Sequence, residues 1–252
     1  MPVTASDIVV YGSQVMPEDD TTTQIGGAID LTTLITFTDI DAAGTIEVRS
    51  TNDSDNTQQL TVTGRSSGGS ILTETVTLNG ITTVPLSNTY ERLMKFELDG
   101  VTLGNVIVRK TGNAGDLAVF PAGVTTIRQP FMYASSDVSG GSQREFHEKV
   151  FIRNDNATLD LTEAVISEQA DPGANITFAL ESTLDGSDDN GAGNSRLVAP
   201  GGYTFDNNAK NVANSQNHTA QSAQGVWLKL TLAAGALPAK NTYTIREFGK
   251  TT

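Results

Sequence analysis

Val226-Trp227-Leu228-Lys229-Leu230-Thr231-Leu232 alternates aliphatic residues with Trp, Lys and Thr. A period of two puts Val226, Leu228, Leu230 and Leu232 on one face of an extended strand and turns the rest to the other face. An amphipathic helix would need apolar spacing near 3.6, which this run lacks. The same alternation recurs upstream at 29–37, 46–48, 60–62 and 72–78, with Thr61, Thr63, Thr73, Thr75 and Thr77 on the opposite face. Further strands are expected at 92–98, 105–109, 117–120, 146–153, 159–166, 176–180, 225–232 and 242–248.

Turn formers punctuate these runs. Gly64-Arg65-Ser66-Ser67-Gly68-Gly69-Ser70 reads as a hairpin loop, and Asn79-Gly80, Asp99-Gly100 and 112–115 as further turns. Turn signals every ~8–12 residues are the spacing of a β-sandwich or barrel. Polar stretches at 185–195 and 207–224 read as long loops, and 209–224 tolerates a short helix without offering an apolar stripe. The expected class is all-β, with at most one or two short helices.

The chain has 252 residues, more than one domain of ordinary size. Ala134 to Ser142 is small and polar, so a linker is expected at about 134–144. Two Ig-like β-sandwich domains are then expected: 1–133, an extended N-terminal arm plus the first sandwich, and 145–252, the second. Within the arm, Ile8-Val9-Val10-Tyr11 is a short apolar run followed by the polar stretch 17–23. Ile8, Val9, Val10 and Tyr11 are the candidate partner interface, expected to pair with a neighbouring chain by strand addition.

Twenty-nine acidic against 16 basic residues give a net charge of −13, which repels phosphate backbones and argues against a nucleic-acid partner. Arg109-Lys110 and the run 144–149 are short and diluted by acids, so they read as solvated strand ends. The absence of cysteine removes disulfides and thiolate metal sites. MPVTASDIVVYG lacks the basic and apolar regions of a secretory signal, and no run of ~18 apolar residues occurs. A soluble product made in the cytoplasm, with no membrane partner, is expected.

Gly64-Arg65-Ser66-Ser67-Gly68 matches the G-x-S-x-G nucleophile motif, which needs a following helix and a nearby His. A strand pattern follows instead, and His147 and His218 are the only histidines. Asp185-Gly186-Ser187-Asp188-Asp189-Asn190-Gly191 opens like a calcium loop. Its sixth position is Asn190 and its twelfth Arg196, where an EF-hand requires Gly and Glu. A looser cation site there or at Asp53-Ser54-Asp55-Asn56 stands beside the reading of solvated turns. Gly249-Lys250-Thr251 echoes a P-loop, but Thr244 stands where the first glycine belongs. Trp227, the only Trp, reads as core or interface packing, with a sugar-stacking platform as the alternative. No catalytic, cofactor-binding or metal-ligating set is assigned, and no enzymatic role is expected.

Two stretches carry a resemblance. Asp7-Ile8-Val9-Val10-Tyr11-Gly12-Ser13, continuing through Pro17-Glu18-Asp19-Asp20 to Gly26-Gly27-Ala28-Ile29-Asp30, is one. Gln224 to Leu232 with Thr242-Tyr243-Thr244-Ile245 is the other. They resemble a family of tailed-phage virion structural proteins. The resemblance implies a capsid decoration or cement protein on the capsid exterior, made in the host cytoplasm, with the major capsid protein as partner. A homo-oligomer, as a trimer, is implied too. A tail, neck or baseplate component and a carbohydrate-binding adhesin are the alternatives.

Overall fold

Every strand expected from the alternation is present in the computed structural model, which describes residues 2–112, 115–137, 141–237 and 242–251. The strands are β1 (Ile8–Val15), β2 (Gly26–Leu34), β3 (Ile46–Ser50), β4 (Gln59–Arg65), β5 (Ile71–Thr77) and β6 (Val84–Pro85). Then come β7 (Arg92–Leu98), β8 (Val106–Lys110), β9 (Asp116–Phe120), β10 (Thr126–Arg128) and β11 (Arg144–Asn154). β12 (Leu161–Ala170), β13 (Ile176–Leu184), β14 (Lys210–Asn211), β15 (Ala223–Leu232) and β16 (Thr244–Thr251) follow. The fold is all-β. Residues 213–216 make one turn in which Asn214 and Ser215 have φ of 56° and 57°, a left-handed geometry that L-residues do not propagate as a helix.

The chain divides into two compact units that do not follow the expected split. Unit 1 combines the segment up to Asp30 with everything from Pro130 onward, and unit 2 is Leu31–Gln129. Unit 2 is therefore spliced into unit 1 within β2. The expected linker 134–144 lies inside unit 1, its residues 138–140 falling outside the described ones. Ser136 Oγ donates to Ala236 O at 2.9 Å, and β11 already begins at Arg144.

In unit 2 the end of β2 leads a sheet of order β2-β10-β7-β4-β5, and a second sheet runs β6-β3-β8-β9. Val48, Val62, Phe96, Val108, Phe120 and Ile127 are fully buried, each burial contributing about 1.5–3 kcal/mol for a large side chain. Phe37 meets Phe96 edge to face at 5.4 Å. The threonine face is as expected. Thr61 stands opposite Thr75 and Thr63 opposite Thr73, and the Thr61 and Thr75 hydroxyls are 2.9 Å apart. The 66–70 turn closes the β4–β5 hairpin, with Ser66 N donating to Ser70 O.

Unit 1 has the order β13-β15-β11-β1-β2 in one sheet and β14-β12-β16 in another. Trp227, on β15, is fully buried with Ile25 and Ala179, and Val15, Tyr203 and Phe205 pack against this cluster. The first six residues of β15 are buried on both faces, so its alternation marks an interior strand.

The extended arm is corrected. Residues 8–12 pair antiparallel with β11 from Ile8↔Asn154 to Gly12↔Val150, and β2 takes the other side of β1. The apolar run finds its partner strand within its own chain, because burying it there satisfies its backbone without a second molecule.

Candidate interaction surface

Ile8, Val9, Val10 and Tyr11 are half-buried in an interior strand, and the Tyr11 hydroxyl donates to Asp155 Oδ2 at 2.9 Å. With β11 on one side and β2 on the other, β1 lies inside its sheet rather than at an edge. The polar stretch behind it is also fastened. Asp20 accepts from Arg196 Nε at 2.7 Å and from Arg144 Nη2 at 2.6 Å. Burial pushes the Asp20 carboxyl up, but the hydrogen bonds and charges of Arg196 and Arg144 outweigh this and hold it below its usual value.

The other sequence motifs resolve into turns and staples. Ser66 Oγ accepts from Ser70 N at 3.2 Å inside the hairpin turn. Asp185 Oδ1 caps Ala223 N at 2.8 Å, Asp189 Oδ1 accepts from Gly191 N at 2.7 Å, and Asp188 Oδ2 accepts from the Tyr203 hydroxyl at 2.5 Å. Among the described residues no group of three or more His, Asp or Glu is disposed to hold a metal ion. Trp227, at 0% exposure, offers no face for a sugar to stack on.

Asp55, in one of the two acidic turns, has a definite task. It is fully buried, and its carboxylate accepts from Ser50 Oγ at 2.6 Å, Leu103 N at 2.8 Å and Gly104 N at 3.0 Å. Its backbone carbonyl accepts from Gly80 N at 2.8 Å, and Gly80 O in turn accepts from Ser50 N. Three loops of unit 2, after β3, β5 and β7, thereby meet at one buried residue, the β7 loop through the Asp55 carboxylate and the β5 loop through its backbone carbonyl. Burial pushes the Asp55 carboxyl up, but Ser50 and the two backbone N–H groups prevail and hold it below 3.8. These loops carry Ile81, Val101 and Leu103, which are 55%, 63% and 71% exposed. Asp99 stands two residues before Val101, and Asp53 lies against Gly80, the neighbour of Ile81. A hydrogen-bonded backbone with outward apolar side chains leaves little to order on burial of those side chains. The sequence marked Asp55 only as part of an acidic turn, since its three donors come from loops up to 49 residues away.

The run 144–149 is corrected as well. It lies in β11, and His147, Glu148 and Lys149 are essentially buried rather than solvated. Lys149 Nζ donates to Glu181 Oε1 at 2.5 Å, Gly27 O at 2.7 Å and Asp188 O at 3.0 Å. Arg196, also buried, donates from Nη1 to Met132 O at 2.7 Å, and its guanidinium lies 5.1 Å from the Phe146 ring. His218 sits between Glu247 Oε1, 2.6 Å from Nδ1, and Ser222 O, 3.0 Å from Nε2, tying β16 to the 217–222 loop. Alternation alone cannot mark such residues, because an interior strand with paired charges has the same pattern as a half-solvated one.

No family model and no curated protein matches the chain. Among solved structures, T=1 particles derived from infectious bursal virus align with all of this chain and 66% of theirs, at 11% identity and a TM-score of 0.14. The VP2 subviral particle of infectious bursal disease virus aligns with all of this chain and 68% of its own, at 12% identity and a TM-score of 0.14. The chain thus spans about two thirds of these capsid chains, and at that TM-score the alignments carry no structural argument.

Proposed function

We propose that the chain is a structural protein of a tailed-phage virion, placed on the capsid exterior, where it decorates and stabilises the shell by binding across major capsid subunits. The observation that carries this reading is the Asp55-clamped loop cluster of unit 2, an apolar surface held rigid with no reacting group at its centre. Covering Ile81, Val101 and Leu103 on a partner would contribute about 1.5–3 kcal/mol for each fully buried side chain. Repeated over many copies on a closed shell, a gain of that size shifts the assembly equilibrium by mass action. The partner expected is the major capsid protein, presenting apolar pockets with a basic rim to an acidic chain of net charge −13. A trimer of this chain at a local symmetry axis would repeat the contact on each subunit.

Quantitative mass spectrometry of purified virions separated into heads and tails tests the reading. A copy number in the head fraction that matches a regular array on the shell supports it. A handful of copies, or a tail location, replaces it with a neck, tail or baseplate role. Virions carrying Leu103→Asp should lose the protein from the head while the isolated variant keeps its melting temperature.

A further inference from the structure

Lys149 and Glu181 belong to strands that are not neighbours: β11 and β13 flank β15, and the two side chains meet over it. The gap they use is Gly225, where a Cβ would fall on the Glu181 carboxylate. Lys149 is 0% and Glu181 1% exposed in their side chains. The Phe151 and Trp227 rings, 4.6 Å and 5.8 Å from Nζ, wall the site from water.

The hydrogen bonds at this pair are lopsided. Two N–H groups of Nζ are held by Gly27 O and Asp188 O, with Gly186 O farther off at 3.5 Å, and the third proton faces Glu181 Oε1 at 2.5 Å. Oε1 also accepts from Asp188 N at 2.9 Å. Oε2 is buried with no hydrogen-bond partner among the described residues. An ionised pair kept in this state leaves a desolvated carboxylate oxygen uncompensated, which is costly.

We propose that Lys149 and Glu181 condense into an intramolecular amide that ties β11 to β13. The ammonium proton shared with Oε1, 2.5 Å away, passes to the carboxylate, and the freed amine, its two remaining N–H groups anchored, attacks the adjacent Glu181 carboxyl carbon. The Nζ–Cδ bond forms, the Cδ–Oε2 bond breaks, and Oε2 departs with two protons from Nζ as water. One N–H remains for a backbone carbonyl. No oxidant, reductant or co-reactant is consumed. The Asp188 N–H is placed to hold the charge that develops on Oε1. Burial lowers Lys149 and raises Glu181, the two directions that favour a neutral amine facing a neutral acid. Condensation removes both buried charges and the unpartnered oxygen in one step.

The test is the intact mass of the purified full chain under denaturing conditions, followed by peptide mapping. The expected result is a mass below that of the sequence by one water, with one branched peptide joining the segments around Lys149 and Glu181, and the full sequence mass for Lys149→Arg. A folded wild-type chain with the full sequence mass overturns the proposal and leaves a buried ion pair. So does a water loss that maps to Asp99-Gly100 or Asp185-Gly186, where it reports a cyclised aspartate. Both outcomes are read on the wild-type protein, so the proposal does not depend on the variant folding, nor on the role in the virion.

Discussion

Gly225 and Glu181 compete for one volume: the carboxylate of Glu181 occupies the space that any side chain at Gly225 would need. Gly225→Ala is expected to keep Glu181 from reaching Lys149 as the chain folds and to destabilise unit 1 by about 3–5 kcal/mol, the range for leaving one member of a buried pair without its partner. A urea titration of the parent and the variant checks it. Equal midpoints would mean that the strand yields without loss.

The Asp55 clamp makes a local prediction. Asp55→Ala leaves the Ser50 hydroxyl and the Leu103 and Gly104 N–H groups without their acceptor, so unit 2 should lose about 1–3 kcal/mol for each that stays buried. Hydrogen exchange should rise at Leu103 and Gly104 while the Lys149 and Val226 amides keep their protection. Uniform loss of protection would show that the clamp supports more than these loops.

His147 sets a pH window. Burial holds its imidazole below the ordinary 6.5, with the Arg196 carbonyl and Glu145 opposing only in part. The unfolded chain therefore takes up the proton first. The stability contribution is intact above pH 6.5 and declines as pH falls through that value towards the lowered one in the fold. The melting temperature should drop between about pH 7.5 and 5.5, and His147→Gln should flatten that slope. Parallel profiles for the two proteins would assign the drop to other groups.

Trp227 reports on unit 1 alone. Its emission should be blue-shifted in the native protein and move to the red only when unit 1 opens, whereas circular dichroism follows both units. Trp227→Ala should cost about 3–5 kcal/mol, the usual loss for a large aromatic in a close-packed core. A red-shifted native spectrum would contradict its burial.

Removal of residues 1–15 should unfold unit 1 rather than trim an appendage, because β1 lies between β11 and β2. Soluble, cooperatively folding protein after that deletion would restore the expectation of an extended arm.

The strands were legible because alternation is a local property. 92–98 is expected and found without a shift, and the Thr61–Thr75 hydroxyl pair follows from period two once the hairpin is recognised. Pairing partners are not local. Nothing in Ile8-Val9-Val10-Tyr11 names 150–154 as its neighbour, so the run reads as a free arm, and the unit boundary moves with that misreading. The buried charges were hidden for a related reason. Lys149 is tolerable in the core only because Glu181, Gly27 and Asp188 converge on it from three separate segments. Asp55 likewise depends on donors that only the folded loops bring together.

The splice of unit 2 into unit 1 also orders events at the ribosome. Tyr11 and Asp155 are 144 residues apart, so at 5–20 residues per second β1 waits roughly 7–30 s for the strand that covers it. During that interval unit 2 has all of its sequence and is free to fold. A nascent chain therefore carries a bare Ile-Val-Val-Tyr segment ahead of a finished neighbour, and crowded synthesis of many copies at once exposes it to the same segment on adjacent chains.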